Sequence, residues 1–246
     1  MARVDVIDES VGLDEPMLVE GLPGLGLVGK IAADHLVDAF EMAHVANLLC
    51  ESLPPVAVYG EGERGVSPPV RVYADAERDL LVLQSDVPVT PASAREFAGC
   101  LGDWQADVGA TPIYLSGRPA EKDENPPELY GVSTGEAGSL LAAADVPEPN
   151  EDGLVSGPTG ALLHHAFAED VDAVGLIVES DPQFPDPEAA RVLISDGIEP
   201  LTGIEVPTEN LVEKAEEIRE AKEQLAQQLR DAEGESTQAR PLRGYQ

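Results

Sequence analysis

Residues 18–36 read LVEGLPGLGLVGKIAADHL, and this stretch decides the fold. Residues 17–20 form a short apolar run that is typical of a buried strand. Four glycines follow within nine residues, and residues 30–40 then place apolar side chains at helical spacing. A strand that passes through a glycine-rich turn into a helix is a common unit of α/β domains, so the stretch predicts a layered α/β fold.

Strand-like and helical runs alternate outward from this unit as far as residue 204. Further strands are predicted at residues 45–49, 56–59, 70–73, 80–83, 113–115 and 174–178. Helices are predicted from Pro91 through Trp104 and from Thr159 to Ala168. The short connection ADAERD between two of the strands indicates a hairpin, which makes the sheet mixed and not wholly parallel.

The amino-acid composition of the chain changes after Pro207, where strong helix formers replace β-branched residues. Positions three or four apart form a seam of Leu211, Ala215, Ile218, Lys222, Leu225 and Leu229. We therefore predict a core domain over residues 1–206, an amphipathic helix over 207–233 and a flexible tail over 234–246. So few heptads leave open whether the helix packs on its own domain or serves self-association.

The charge balance excludes whole classes of partner. The 246 residues include 15 Lys+Arg and 47 Asp+Glu, for a net charge of −32. Binding to nucleic acids or to anionic membrane surfaces needs clustered basic residues, so neither partner is expected. No apolar run approaches the roughly 18 residues that span a bilayer.

Acid excess, scarce lysine, few aromatic residues and small apolar side chains are typical of a surface that stays hydrated in concentrated salt. Only four of the basic residues are lysines. Cys50 and Cys100 form no CxxC pair, and the acidic N-terminus carries no secretory signal. We expect a cytoplasmic protein of a halophilic cell. The alternative is an ordinary acidic protein of a mesophile, which full folding in low salt would support.

Two nucleotide-binding patterns overlap in the glycine-rich turn. Gly24, Gly26 and Gly29 satisfy G-x-G-x-x-G, and residues 24–30 satisfy G-x-x-x-x-G-K. The phosphate-loop pattern fails at Ile31, where a hydroxyl would hold Mg²⁺. One interpretation makes Gly24, Gly26, Gly29 and Lys30 cofactor-binding residues of an α/β enzyme or nucleotide sensor. The other is that the glycines permit a tight turn and close helix–strand packing without any ligand.

The stretch EGLPGLGLVGKIAADHLV at residues 20–37 resembles the signature of the archaeal proteasome assembly chaperone family, which is related to the second subunit of the eukaryotic assembly chaperone pair. The likeness extends to Pro54-Pro55, the helix with residues 95–97, GPTGALL at 157–163, PDPEAA at 185–190 and VEKAEEI at 212–218. The resemblance implies a three-layer α/β/α sandwich that forms homo-oligomers and binds proteasome α subunits. It also implies that the protein has neither catalytic activity nor a cofactor.

The last three residues, Gly244-Tyr245-Gln246, are similar to the C-terminal motif with which proteasome activators enter pockets between α subunits. That motif is a hydrophobic residue, a tyrosine and any residue. Tyr245 matches it, whereas Gly244 lacks the hydrophobic side chain and Leu242 could partly replace it. The resemblance implies that Leu242, Gly244, Tyr245 and Gln246 bind the partner. A tail without a partner is the alternative.

The remaining candidates for chemistry lack a pattern. His164 and His165 are adjacent, so on a helix they point in different directions and cannot share a metal as an i, i+4 pair can. The sequence contains no HExxH motif, and Cys50 and Cys100 show no Cys-His signature. We therefore predict no metal site and no catalytic residues.

Overall fold

A mixed sheet of eight strands organises the chain. The computed structural model describes residues 3–8, 10–51, 53–60, 64–120, 126–183 and 185–211. In chain order the strands are β1 (Arg3–Val6), β2 (Met17–Gly21), β3 (Ala43–Leu49), β4 (Val70–Asp75), β5 (Leu80–Ser85), β6 (Thr111–Pro119), β7 (Leu129–Thr134) and β8 (Ala173–Ser180). Across the sheet they lie in the order β1-β3-β4-β5-β2-β6-β8-β7.

The sheet has a parallel centre and antiparallel flanks. Strand β2 pairs in parallel with β5 and β6, and β6 pairs in parallel with β8. The other neighbours are antiparallel, including the predicted hairpin of β4 and β5, in which Tyr73 lies opposite Val82. The prediction of a mixed sheet is therefore confirmed.

Helices cover both faces of this sheet. They are α1 (Val28–Ala39), α2 (Ala94–Asp107), α3 (Gly138–Ala143), α4 (Gly157–Ala168), α5 (Pro187–Val192) and α6 (Glu199–Thr202), with a π-helical segment at Leu193–Ile198. Helices α1 and α5 contact each other, as do α2 and α4. Val19 joins the apolar core that includes α1 and α5, whereas its neighbour Leu18 joins the core that includes α2 and α4. Successive strand side chains alternate between faces, and the three-layer α/β/α sandwich is confirmed.

Two secondary-structure predictions are wrong, namely the strand at residues 56–59 and the start of a helix at Pro91. Proline residues explain why the strand is absent. Residues 56–59 form no strand, and Val58 makes only an isolated bridge to Ser67. Proline pairs precede and follow this segment at residues 54–55 and 68–69, and proline has no N–H to donate to a sheet. Helix α2 begins at Ala94 and not at Pro91, because residues 91–93 form a turn in which the Ser93 N–H donates to the Thr90 carbonyl at 3.0 Å.

The C-terminal predictions fall mostly outside the described residues. Helical backbone begins at Glu209, and Leu211 is buried in the core that includes α1. Residues 212–246 lie beyond the part of the chain that the structure describes, so the helix over 207–233 and the tail over 234–246 stay predictions. Within the described residues, no helix combines the length and apolar character needed to cross a membrane.

Candidate functional site

The turn between β2 and α1 requires glycine at residue 26. Gly26 has a φ of +62°, and Leu27 follows with a φ of +53°, so the chain passes through the left-handed region before α1 begins. A Cβ atom on Gly26 would lie 1.9 Å from the Ser180 Oγ at the end of β8. The Gly26 carbonyl accepts a hydrogen bond from the Asp186 N–H at 2.8 Å. The turn is thus packed tightly against a distant segment of the chain.

Asp186 fixes that distant segment. Its side chain is buried and caps α5 by accepting from the Ala189 N–H at 3.3 Å. The other carboxylate oxygen accepts from the Asp181 N–H at 3.0 Å and from the Ser180 hydroxyl at 3.3 Å. Two of the stretches that carried the family resemblance, residues 20–37 and 185–190, therefore contact each other in the fold.

Glu20 connects a third such stretch to the same place. Its carboxyl group is completely buried and accepts hydrogen bonds from the Leu22 N–H at 2.9 Å and the Leu115 N–H at 3.3 Å. The Thr159 hydroxyl lies 3.3 Å from its Oε2. Burial raises the pKa of Glu20 to about 8, and the hydrogen bonds from Leu22, Leu115 and Thr159 offset only part of that effect.

A cavity of about 910 Å³ opens above this carboxyl group. It lies at the carboxyl ends of β2 and β6, between the first turns of α1 and α4. The three residues that hydrogen-bond to Glu20, namely Leu22, Leu115 and Thr159, all line it. Glu20 itself does not line the cavity, but its hydrogen bonds fix the position of these three residues, which form the floor of the cavity.

A polar corner forms one side of the cavity. The Arg118 guanidinium pairs with Glu151 and Glu179 and lies 5.4 Å from the centre of the Tyr130 ring. Tyr130 donates its hydroxyl to Glu128 and accepts a hydrogen bond from the Asn150 Nδ2 at 3.0 Å. The hydrogen bond to Glu128 is the main cause that raises the pKa of Tyr130, so the phenol stays neutral at physiological pH.

The residues of the two nucleotide-binding patterns do not line a common site. Gly24 and Gly29 line the cavity, and a Cβ on Gly29 would lie 3.3 Å from the Leu115 Cβ. Lys30 is not among the lining residues, and its Nζ instead lies 2.9 Å from Asp34 and 3.2 Å from Asp86. The turn brings helix and strand into close packing, while the lysine is held by carboxylates.

The other predicted positions fall in two groups. Leu242, Gly244, Tyr245 and Gln246 lie outside the described residues, so their role stays a prediction. His165 packs its ring against Gly102 where α4 meets α2, since a Cβ on that glycine would lie 2.4 Å from the ring. Among the residues that the structure describes, no group of three or more His, Cys, Asp or Glu side chains could hold a metal ion.

Apart from Gly24 and Gly29, sequence reasoning did not identify the residues named here that form the cavity. The sequence does indicate a special role for Glu20, because a carboxyl group inside an apolar strand must be buried together with hydrogen-bond partners. The sequence gives no such indication for Arg118 and Tyr130, since they are brought together only by the pairing of β6 and β7 with β8.

A model of the PAC2 family matches residues 18–226. The chain belongs to the PAC2 family. PbaA of Pyrococcus furiosus, described as an archaeal homolog of proteasome-assembly chaperone, has a crystal structure that is similar with a TM-score of 0.79 at 25% identity, covering 95% of this chain and 96% of PbaA. PbaB of the same organism, described as an archaeal proteasome activator, shares the fold with a TM-score of 0.77 at 24% identity, over 92% of this chain and 98% of PbaB.

A relative from Methanocaldococcus jannaschii, described as uncharacterized, is 27% identical over 236 residues, which are 93% of this chain and 90% of that protein. The PAC2 match spans the turn at Gly26, the buried Glu20 and the PDPEAA segment. The family resemblance that the sequence motifs suggested is confirmed.

Proposed function

We propose that this protein is a non-enzymatic, chaperone-like protein of the cytoplasm that acts on the proteasome. The observation that carries the proposal is the likeness to PbaA, which extends over 95% of this chain and is accompanied by membership of the PAC2 family. PbaA is described as a homolog of proteasome-assembly chaperone. Its similarity supports a chaperone-like role here, with proteasome α subunits as the partner.

Self-association is the second element of the proposal. The heptad-like spacing after Pro207 supports it, because a seam of apolar side chains at such spacing can pack against a second helix. Leu211, the first residue of the seam, is buried in its own domain. The surface for a second copy would therefore begin beyond it, at Ala215 and Ile218.

The C-terminal tail is the third element. Tyr245 stands where the activator motif has its tyrosine, and Arg240 and Arg243 make the tail locally basic in a chain of charge −32. In this proposal the Tyr245 ring enters a pocket between α subunits and the terminal carboxylate pairs with a lysine of that pocket. Leu242 supplies part of the apolar contact that Gly244 does not.

Co-purification from the native cytosol tests the proposal. The tagged full chain should recover proteasome α subunits, and light scattering of the purified protein should give a mass of at least twice 25.9 kDa. Recovery of no α subunit in repeated experiments would contradict the partner. A single 25.9 kDa species across a wide concentration range would contradict self-association alone.

A further inference from the structure

We propose that the cavity at the carboxyl ends of β2 and β6 binds a small amphiphilic carboxylate, whose apolar body lies against Leu154 and whose carboxylate group replaces Glu151 on Arg118. This inference goes beyond the proposed function and does not depend on it. It rests on the place of the cavity in the fold, on its apolar walls and on the different ways in which the two acidic partners of Arg118 are held.

The place of the cavity is the one that α/β sheets use for ligands. Ligands of open α/β sheets bind in the crevice outside the carboxyl ends of the strands. Here α1 starts on one face and α4 on the other, and the cavity lies between their first turns. Its volume of about 910 Å³ falls within the usual range for small-molecule sites. The hydrogen bonds of Glu20 hold its floor in a fixed position.

The walls favour an apolar body. Leu25, Val28 and Val155 line the cavity, and Leu154 also lines it although the residue is 85% exposed. An exposed leucine beside a concave apolar surface gains free energy when a ligand covers it, at about 25 cal/mol per Å² of apolar area removed from water. The wall around Leu154 is thus suited to an aliphatic or aromatic group.

The polar corner favours a carboxylate. Glu179 is a fixed partner of Arg118, because its other oxygen accepts from the Glu128 N–H at 3.2 Å and its side chain is 24% exposed. Glu151 is a replaceable partner, since its side chain is 62% exposed and residues 149–155 contain no helix or strand. Among the described residues, no atom hydrogen-bonds to the buried Arg118 Nε. A ligand carboxylate can take the place of Glu151 and keep the guanidinium neutralised.

The acidic side chains around the cavity explain why Glu151 must move away from Arg118 before a ligand carboxylate can bind there. Glu151 and Asp152 both line the cavity, so an added anion would be repelled while Glu151 remained on Arg118. Removal of the Glu151 charge should therefore strengthen carboxylate binding, whereas removal of a nearby carboxylate that does not line the cavity should not. Glu148 is a matched control, because it is exposed three residues earlier and does not line the cavity.

Calorimetric titration in concentrated KCl tests the proposal with hexanoate, benzoate and indole-3-acetate as probes. Hexanol and benzyl alcohol serve as uncharged analogues. We expect saturable binding of at least one carboxylate with one site per chain, and weaker binding of its alcohol. E151Q should bind that carboxylate roughly two- to fivefold more tightly, and E148Q as the unchanged chain does. L154A should bind it roughly threefold more weakly.

Three results would overturn the proposal. The first is the absence of saturable binding of all three carboxylates to both the unchanged chain and E151Q. The second is equal tightening in E151Q and E148Q, which would indicate a general charge effect. The third is equal affinity for a carboxylate and its alcohol, which would remove Arg118 from the site. Circular dichroism of each variant confirms that it is folded, so that a loss of binding is informative.

Discussion

A Cβ atom on Gly26 would lie 1.9 Å from the Oγ of Ser180, although 154 residues separate the two positions in the chain. No real side chain tolerates that approach, so the turn after β2 and the end of β8 fit together only when residue 26 is glycine. The same turn accepts the Asp186 N–H, and Asp186 caps α5. The most distinctive stretch of the sequence therefore packs against the end of β8 and the start of α5.

Substitution of this glycine should destabilise the protein strongly. G26A introduces both the clash with Ser180 and a left-handed φ at a residue with a Cβ. We expect the free energy of unfolding to fall by about 2–4 kcal/mol, as measured by denaturant unfolding in concentrated salt. G24A is the control, because nothing lies within 4 Å of a Cβ there and its φ of −139° suits any residue. Equal losses in the two variants would contradict the packing argument.

Glu20 should make stability depend on pH in an unusual direction. Burial raises the pKa of its carboxyl group from 4.5 to about 8, so between these values the folded state binds more protons than the unfolded state. The contribution of Glu20 is fully present below about pH 4.5 and is lost as the pH rises toward 8, by at most about 1.4 kcal/mol per pH unit. Tyr114 interacts with Glu20, and because burial raises the pKa of this phenol it stays neutral throughout.

The variant E20Q tests this dependence. Glutamine keeps an oxygen for the Leu22 N–H and a donor for Thr159, but it cannot also accept from the Leu115 N–H. We expect E20Q to be less stable than the unchanged chain at about pH 5, and the difference to shrink or reverse at about pH 8.5. E148Q, at an exposed position, should run parallel to the unchanged chain. A constant difference between E20Q and the unchanged chain across this range would show that Glu20 stays ionised.

Nucleotides should leave the protein unaffected. Lys30 lies within hydrogen-bond distance of Asp34 and Asp86, and Ile31 offers no hydroxyl for Mg²⁺. We therefore expect ATP and NAD to leave the midpoint of thermal unfolding unchanged in concentrated salt. A saturable rise of the midpoint that disappears in K30M would instead support the nucleotide-binding interpretation of the glycine-rich turn.

The central part of the fold could be predicted from the sequence because its signals are local. Strand β2, the turn and α1 follow one another without interruption, and the hairpin of β4 and β5 is two apolar runs joined by six polar or small residues. The edge strands β1 and β7 are not apparent from the sequence, since RVDV is short and LYGVST contains a glycine, a serine and a threonine. Residues 187–202 were missed because Gly197 and Pro200 interrupt their helical pattern.

The site was less predictable because its contacts span the chain. Glu20 meets Leu115 and Thr159, which lie 95 and 139 residues later, and no local pattern encodes such partners. The sequence left two interpretations of the glycines open. The contacts of Gly26 with Ser180 and of Gly29 with Leu115 favour close packing, a distinction that depends on distances and not on spacing.

Binding of purified proteasome α-subunit rings tests the central claim most directly. The affinity of the full chain should be compared with that of a chain that lacks Tyr245 and Gln246, with Q246A as the control, because the motif accepts any last residue. We predict that the full chain and Q246A bind alike and that the truncated chain binds on the order of tenfold more weakly. Equal affinity of the truncated and full chains would contradict the role of the tail, and failure of the full chain to bind α subunits would contradict the proposed function itself.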